Sequence, residues 1–327
     1  MIMGKIRIGT RESQLAIWQA TQVKELLAQH GFESELVFIK SEGDIDLVTP
    51  LYEIGVQGIF TRSLDAALLS NKIDVAVHSL KDVPTQLPKG VLQAAVLKRG
   101  AVNDLLVFKN KKAQEKYVSF AAHDSPQVRE DSFGESSVMR FTVATSSIRR
   151  KAQWLNKYPG HIIHNLRGNV NTRLRKLQEE DWDAAIFAQA GLERIGLRPP
   201  TSVVIDWMLP APAQGAIVVV CRENDRLSFN ACQLFNDDET DRCTKIERDF
   251  LRKLLGGCST PISALAEIKA LQVHFRGNIL SLDGRKKIEL EKIVDVKSSA
   301  LLGDFAAEEL LAKGGEEIAG NIRHAAK

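Results

Sequence analysis

Twice along this chain a strand signal, a helix signal and another strand signal follow at short spacing, and that alternation constrains the fold more than any other feature. In the first block Lys5–Thr10 reads as a strand and Ser13–His30 as a helix, with apolar residues at Leu15, Trp18, Val23 and Leu26 and a stop at Gly31. Glu35–Ile39 is a second strand, Phe60–Ser70 a helix, and Ile73–His78 an apolar strand broken by LKDVP. In the second block Phe141–Ala144, Ser147–Asn156, His161–Leu166, Val170–Glu179 and Ala184–Ala188 read as strand, helix, strand, helix and strand. The class is therefore α/β, with two α/β domains and mainly parallel sheets. The intervening Lys109–Arg140 is polar without a clear period and reads as a long surface loop. Pro210 and Pro212 mark a break, and Ala216–Cys221 is a lone apolar strand expected to return to the first domain. From about Asp238 the composition shifts. A helix (Thr244–Leu255) stops at Gly256 and Gly257, strand-like segments LQVHFRG and ILSLDG follow, and a helix ends the chain. The expected domains are 1–100 with about 214–235, then 101–213, then an α+β unit over 236–327.

A chain of 327 residues suits two or three domains at roughly 100–200 residues each. Its net charge of +3 implies no global polyelectrolyte partner, so any functional charge is local. The four cysteines, Cys221, Cys232, Cys243 and Cys258, form no CxxC pair, and no Cys/His spacing resembles a zinc site. The N-terminal run lacks a signal-peptide apolar stretch, and no segment is long and apolar enough to span a bilayer. A cytoplasmic protein without a membrane partner or a metal is expected.

The strongest local signal is electrostatic: between Phe141 and Gln178 there are eight Lys/Arg and no Asp/Glu. Arg149 and Arg150 fall in the first turn of a predicted helix, after Thr145, Ser146 and Ser147. Cations there oppose the helix dipole, at about 0.3–1 kcal/mol each. Their placement makes sense if something negative binds at a terminus that already favours anions. Arg167 lies at a predicted strand end and Arg173 one turn into the next helix. Ligands of open α/β sheets gather outside strand carboxyl ends, and arginine's planar fork suits carboxylates. A solvated basic face accounts for the same count. A nucleic-acid site is a third reading, with only Trp154 and Tyr158 interleaved.

Three further places carry chemistry-bearing residues. His78-Ser79-Leu80-Lys81-Asp82-Val83-Pro84 crowds polar groups at the end of an apolar strand, where a carboxylate and a lysine suit acid–base work; read alone it is first a polar turn with a local ion pair. Gly256-Gly257-Cys258 gives a permissive turn where a thiol can be exposed, although free cysteines are more often quiet buried residues. Arg11 and Ser13 repeat the strand-end and helix-start theme, with a plain N-cap as the alternative.

Taken in order, RIGTRESQLAIWQA, GIFTRSLDAALL, IDVAVHSLKDVPTQLP, VATSSIRRKAQ, LRGNVNTRLRKL, AGLERIGL and ERDFLRKLLGGCSTPI resemble the porphobilinogen deaminase (hydroxymethylbilane synthase) family over most of the chain. The resemblance implies two lobes like those of type II periplasmic binding proteins around a cleft, and a third domain bearing a cysteine loop. It implies a transferase of heme and tetrapyrrole biosynthesis. Four porphobilinogen units would be joined head to tail, each losing ammonia, on a dipyrromethane cofactor that the enzyme makes from its own substrate. Water would then release hydroxymethylbilane. By the family pattern Asp82 is the catalytic carboxylate and Cys258 the cofactor attachment site. Arg11, Ser13, Lys81, Ser147, Arg149, Arg150, Arg167, Arg173 and Arg194 bind cofactor and substrate carboxylates, and Phe60 packs near the cleft mouth. Neither metal, nucleotide nor nucleic acid is implied, and a monomer is expected. The chain departs from the pattern at Glu42, where a basic residue is usual, at Gln57 in Gly55-Val56-Gln57-Gly58, and at Asn171. The competing function is a non-enzymatic two-lobed module binding small polycarboxylate anions, for which Cys258 has no use.

Overall fold

The computed structural model describes residues 5–40, 61–123, 141–254 and 260–325. The first block folds as β1 (Ile6–Thr10), α1 (Gln14–Gln29), β2 (Ser34–Phe38), α2 (Arg62–Leu69), β3 (Val75–Ser79) and β4 (Val91–Val96). The chain then crosses to a second lobe: β5 (Asp104–Phe108), α3 (Lys111–His123), β6 (Thr142–Ala144), α4 (Ile148–Lys157), β7 (Ile162–His164), α5 (Val170–Glu179), β8 (Ala184–Ala188), α6 (Gln189–Glu193) and β9 (Ser202–Ile205). It returns as β10 (Ile217–Arg222) and α7 (Arg226–Gln233). A third unit follows: α8 (Asp238–Leu254), β11 (Ile262–Lys269), β12 (Gln272–Leu280), β13 (Lys287–Asp295), α9 (Leu302–Leu310) and α10 (Glu316–Ala325).

Both lobes carry the same sheet. Lobe 1 has strand order β2-β1-β3-β10-β4 and lobe 2 has β7-β6-β8-β5-β9. The first three strands of each run parallel, and the fourth is antiparallel to both neighbours. The sheets are thus mixed rather than mainly parallel, because each takes in a strand that arrives from the opposite lobe. β10 does return to lobe 1, lying between β3 and β4. These are the paired α/β lobes that the family resemblance implies.

Helices cover both faces of each sheet, which is why the central strands are apolar throughout instead of alternating. In lobe 1, α1 and α7 bury Val23, Leu27, Ala231 and Cys232 on one face, while α2 buries Leu64 and Leu68 on the other. α1 starts where the Ser13 side chain accepts from Ala16 N–H at 3.4 Å, and it ends as the chain turns through Gly31 at φ +81°.

Three further expectations needed correction. Lys111–His123 is a helix, not part of a loop: Asn110 caps it by accepting from Ala113 N–H at 2.9 Å. Tyr117 then packs on Phe108 and Phe141, with ring centroids 5.4 and 5.6 Å away. A mostly polar helix needs only this narrow seam, which a periodicity reading misses. Residues 124–140 lie outside the described residues. In the third unit, LQVHFRG and ILSLDG share one strand, β12, flanked by β11 and β13 in an antiparallel sheet. α8 also begins earlier than Thr244, at Asp238. Its Phe250 packs on Phe275 of β12, and α9 crosses it so closely that a Cβ at Gly303 would sit 2.2 Å from the Ile246 carbonyl oxygen.

Candidate active site

Polar groups of both lobes collect just past the carboxyl ends of β1, β3, β6 and β7, the place where open α/β sheets bind ligands. On lobe 1, β3 runs into a single turn of 3-10 helix, Leu80–Asp82, closed by Pro84. The Asp82 side chain is exposed, whereas Leu80 and Val83 on either side are buried and fix the turn to the core. Lys81 points inward. Its Nζ donates to Gln214 Oε1 at 3.2 Å. Burial, with the positive charges of Arg150 and Arg149, pushes its pKa down to about 8 against the opposing pull of Asp82 and Asp104.

On lobe 2, Ser147 caps α4 by accepting from Arg150 N–H at 3.4 Å. Arg149 and Arg150 are nearly fully buried, and the reason is a residue the sequence did not single out. Asp104, the first residue of β5, is completely buried between them. Its Oδ2 accepts from Arg149 Nη2 at 3.0 Å and its Oδ1 from Arg150 Nη2 at 2.8 Å. Burial alone would raise the carboxyl pKa, but the two guanidiniums outweigh it and hold it well below the usual carboxylate range. The negative group that two arginines at a helix N-terminus call for is therefore supplied in part by the protein itself. Arg149 is further tied to the Leu209 carbonyl at 2.7 Å and Arg150 to the Ile186 carbonyl at 3.0 Å. Arg150 Nε is buried with no hydrogen-bond partner among the described residues.

Gln214 joins the two lobes. Its Nε2 donates to Asp104 Oδ1 at 2.8 Å and to the Val102 carbonyl at 2.7 Å, while its Oε1 takes the Lys81 bond. Arg173, on α5, donates from Nε to the Gly168 carbonyl at 2.7 Å. Burial, helped by Arg150 and Arg167 and opposed by Asp82, brings its pKa down to about 10. Lys81, Asp82, Arg149, Arg150, Arg167 and Arg173 thus form one electrostatic neighbourhood. With Asp104 it holds five cations and two carboxylates, a surplus of positive charge that meets the exposed Asp82 through Lys81 and Arg173.

The remaining predicted residues border this neighbourhood. Arg11 lies beside His78, whose buried ring is pushed by burial and by Arg11 down to a pKa of about 4 and is neutral at pH 7. Arg194 lies where the lobes cross, donating to the Gly215 carbonyl at 2.6 Å with its guanidinium 5.5 Å from the Trp18 ring centroid; burial lowers its pKa to about 10. Asn171 Nδ2 reaches Gln14 Oε1 at 3.0 Å, tying α5 of lobe 2 to α1 of lobe 1. Cys258, Phe60, Glu42 and Gln57 lie outside the described residues. Cys221 and Cys243 are buried, and burial raises both thiols to about 11, so neither is a reactive thiolate at neutral pH. Among the described residues, no cluster of His, Cys, Asp or Glu has the makings of a metal site.

An anionic ligand fits this donor set: buried guanidiniums, the half-buried Lys81 ammonium and an Arg150 Nε with no hydrogen-bond partner among the described residues gather at two strand–helix junctions. Residues 6–229 match the family model "Porphobilinogen deaminase, dipyromethane cofactor binding domain", and residues 242–312 match "Porphobilinogen deaminase, C-terminal domain". The chain belongs to the porphobilinogen deaminase family. It is 36% identical over 327 residues to the porphobilinogen deaminase of Chlorobium phaeobacteroides (strain BS1), covering 98% of each chain. It is 38% identical over 323 residues to that of Desulforamulus reducens, again covering 98% of each. Among solved structures, the methionine binding protein MetQ aligns with a TM-score of 0.41 at 16% identity, over 72% of this chain and 92% of that one.

The residues missed from sequence are the partners of the predicted ones. Asp104 opens an apolar strand, Gln214 follows the Pro210–Pro212 break, and Arg248 sits within ERDFLRKL. The acidic residue that opens DLLVF and the glutamine two residues after Pro212 were visible signals, but neither names its partner.

Proposed function

We propose that this chain joins four porphobilinogen units head to tail, with loss of ammonia from each, on a dipyrromethane primer carried by Cys258, and releases hydroxymethylbilane. One observation carries the reading: the exposed Asp82 carboxylate is coupled to Lys81 of its own lobe and Arg173 of the other, and these two feel the charges of Arg149, Arg150 and Arg167. When bound, the dipyrromethane would supply the pyrrole carbon to which the first unit is joined, each later unit being joined to the ring added before it.

The residues divide the work by charge and exposure. Asp82 is free to accept the pyrrole N–H of the incoming unit and to stabilise the positive charge that develops on that ring as ammonia leaves. The same carboxylate takes up a proton as the new ring regains aromaticity. Lys81, Arg167 and Arg173 receive acetate and propionate groups next to Asp82, and Arg150 uses its Nε in the same way. Arg149 has both terminal nitrogens engaged, with Asp104 and Leu209, so it acts through its charge and by holding the start of α4. Arg11, Ser13, Ser147 and Arg194 extend the carboxylate sites along the cleft, with Phe60 near its mouth by the family pattern.

The units of this enzyme are residues 1–100 with about 214–235, 101–213 and 236–327. It works as a monomer in the cytoplasm, without nucleic-acid or membrane partners. None of the described helices is long and apolar enough to cross a membrane. Trp154 and Tyr158, the aromatic residues of the basic stretch, are buried in the lobe 2 core instead of being presented for base stacking.

Intact-mass measurement of protein made in cells with a working tetrapyrrole pathway tests the reading. The expected result is an adduct of two pyrrole units that maps to Cys258. An unmodified thiol there would overturn it in favour of a polycarboxylate-binding module.

A further inference from the structure

One helix touches the turn that carries Asp82 and ends four residues before Cys258 in sequence. α8 ends at Leu254 and the chain runs on through Gly256 and Gly257 to Cys258. On the way, Arg248 reaches across to the turn that carries Asp82. Its Nη1 donates to the carbonyls of Leu80 at 3.3 Å and Val83 at 2.9 Å, and its Nη2 donates to the Pro84 carbonyl at 2.6 Å. The three acceptors straddle Asp82 in sequence.

Within the turn, Val83 N–H donates to the Leu80 carbonyl at 3.2 Å. The Leu80 N–H is bonded to the Ala216 carbonyl at 3.0 Å, and Pro84 has no N–H to give. A single turn of 3-10 helix takes its position from what grips it outside, and the guanidinium of Arg248 is such a grip. The helix is itself fixed. One residue earlier, the fully buried Glu247 takes both terminal nitrogens of Arg99 at 2.7 and 2.9 Å, and it also accepts from Ala213 N–H at 2.6 Å and Ala266 N–H at 2.8 Å. Arg99 and Ala213 lie on the two crossings between lobes, and Ala266 lies on β11. Arg248 therefore extends from a helix that is locked to both crossings and to the third unit's own sheet.

We propose that Arg248 is a positioning residue for the condensation, setting the Asp82 turn in register with the helix that leads to Cys258. It touches neither substrate nor primer. The inference rests on the functional reading above. A planar fork spans three carbonyls at once, which an ammonium at the end of a flexible stem does not reproduce.

The test compares wild type with Arg248→Met and Arg248→Lys. Turnover is expressed per molecule carrying the two-pyrrole adduct, so loss of folded or loaded protein does not count as loss of chemistry. A shift of the Asp82 turn by about 1 Å is expected to lower kcat about 100-fold in Arg248→Met, with KM for porphobilinogen held within about twofold. Arg248→Lys, which keeps the charge and the stem, is expected to lose about tenfold and serves as the test on its own if Arg248→Met does not fold. A purely structural role would depress thermal stability and adduct yield while leaving kcat per loaded molecule unchanged; that result in Arg248→Lys overturns the proposal. A wild type without adduct or turnover refutes the functional reading itself, whereas a loaded and active wild type with unimpaired variants refutes only the role of Arg248.

Discussion

Replacing Asp104 with asparagine probes the buried charge network directly. The carboxylate is fully buried and bridges two nearly buried guanidiniums at 3.0 and 2.8 Å. At an effective dielectric of about 20, each such contact is worth about 4 kcal/mol before desolvation is counted. Removing one partner of a buried ion pair typically costs about 3–5 kcal/mol, since the charge left behind has nothing to neutralise it. Asparagine keeps the shape but offers one acceptor oxygen where the carboxylate offers two. Arg150 Nη2 and Gln214 Nε2 both donate to Oδ1, and Arg149 Nη2 donates to Oδ2, so one set of donors must face an NH₂ group. Asp104→Asn is therefore expected to destabilise lobe 2 by about 3–5 kcal/mol. Urea unfolding followed by tryptophan fluorescence reports on this lobe, because Trp154, Trp182 and Trp207 all lie in or against its cores. With a urea slope of about 1–3 kcal/mol per molar, the midpoint should fall by roughly 1–5 M. The pH dependence has a definite sign. The folded-state pKa of Asp104 is depressed, so its stabilisation is present above the unfolded value of about 3.9 and is lost as pH falls through the lower folded value. The wild type should hold its advantage at neutral pH and meet the variant only in strong acid. A change of less than about 0.5 kcal/mol at pH 7 would refute the reasoning.

Asp82→Asn should lower kcat by about 10²–10⁴-fold while leaving the unfolding midpoint in place, because the side chain is exposed; near-normal turnover removes Asp82 from the chemistry. Lys81 has a pKa of about 8, so its ammonium is lost as pH rises past that value, and KM for porphobilinogen should climb between pH 7 and 9. Lys81→Arg should flatten that climb, and a flat wild-type profile would count against Lys81 as a carboxylate ligand. Gly303→Ala should push α9 off α8, since the added Cβ would sit 2.2 Å from the Ile246 carbonyl oxygen. Overpacking of this kind costs about 1–3 kcal/mol, read as a lower thermal midpoint with kcat per loaded molecule unchanged.

The sequence revealed most where one segment carried its own signal. α5 and β8 lie at the predicted bounds, and α1 fits between Ser13 and Gly31, because apolar spacing, caps and stops are local. The unanticipated strands β4, β5, β9, β11 and β13 owe their place to partners distant in the chain. β5 pairs with residues 184–188 and 202–205, and no spacing within DLLVF announces them. The candidate site divides along the same line. Arginines at strand ends were legible because residue type and position both point to anions. Their counter-ion was not, because Asp104 meets Arg149 and Arg150 only after β5 has been inserted into a sheet whose other strands come later. Gln214 and Arg248 were silent for the same reason: each joins elements more than a hundred residues apart.

The interlaced strands also set the order in which the molecule can be completed during synthesis. β4 joins its sheet through β10, so the sheet of lobe 1 has no closed form until residue 222 has left the ribosome. Lobe 2 draws all five of its strands from one continuous stretch, residues 104–205, and can close while its elder neighbour still waits for a strand. The lobe begun first is the lobe finished second, and until then β3 and β4 present open edges to whatever else is nearby.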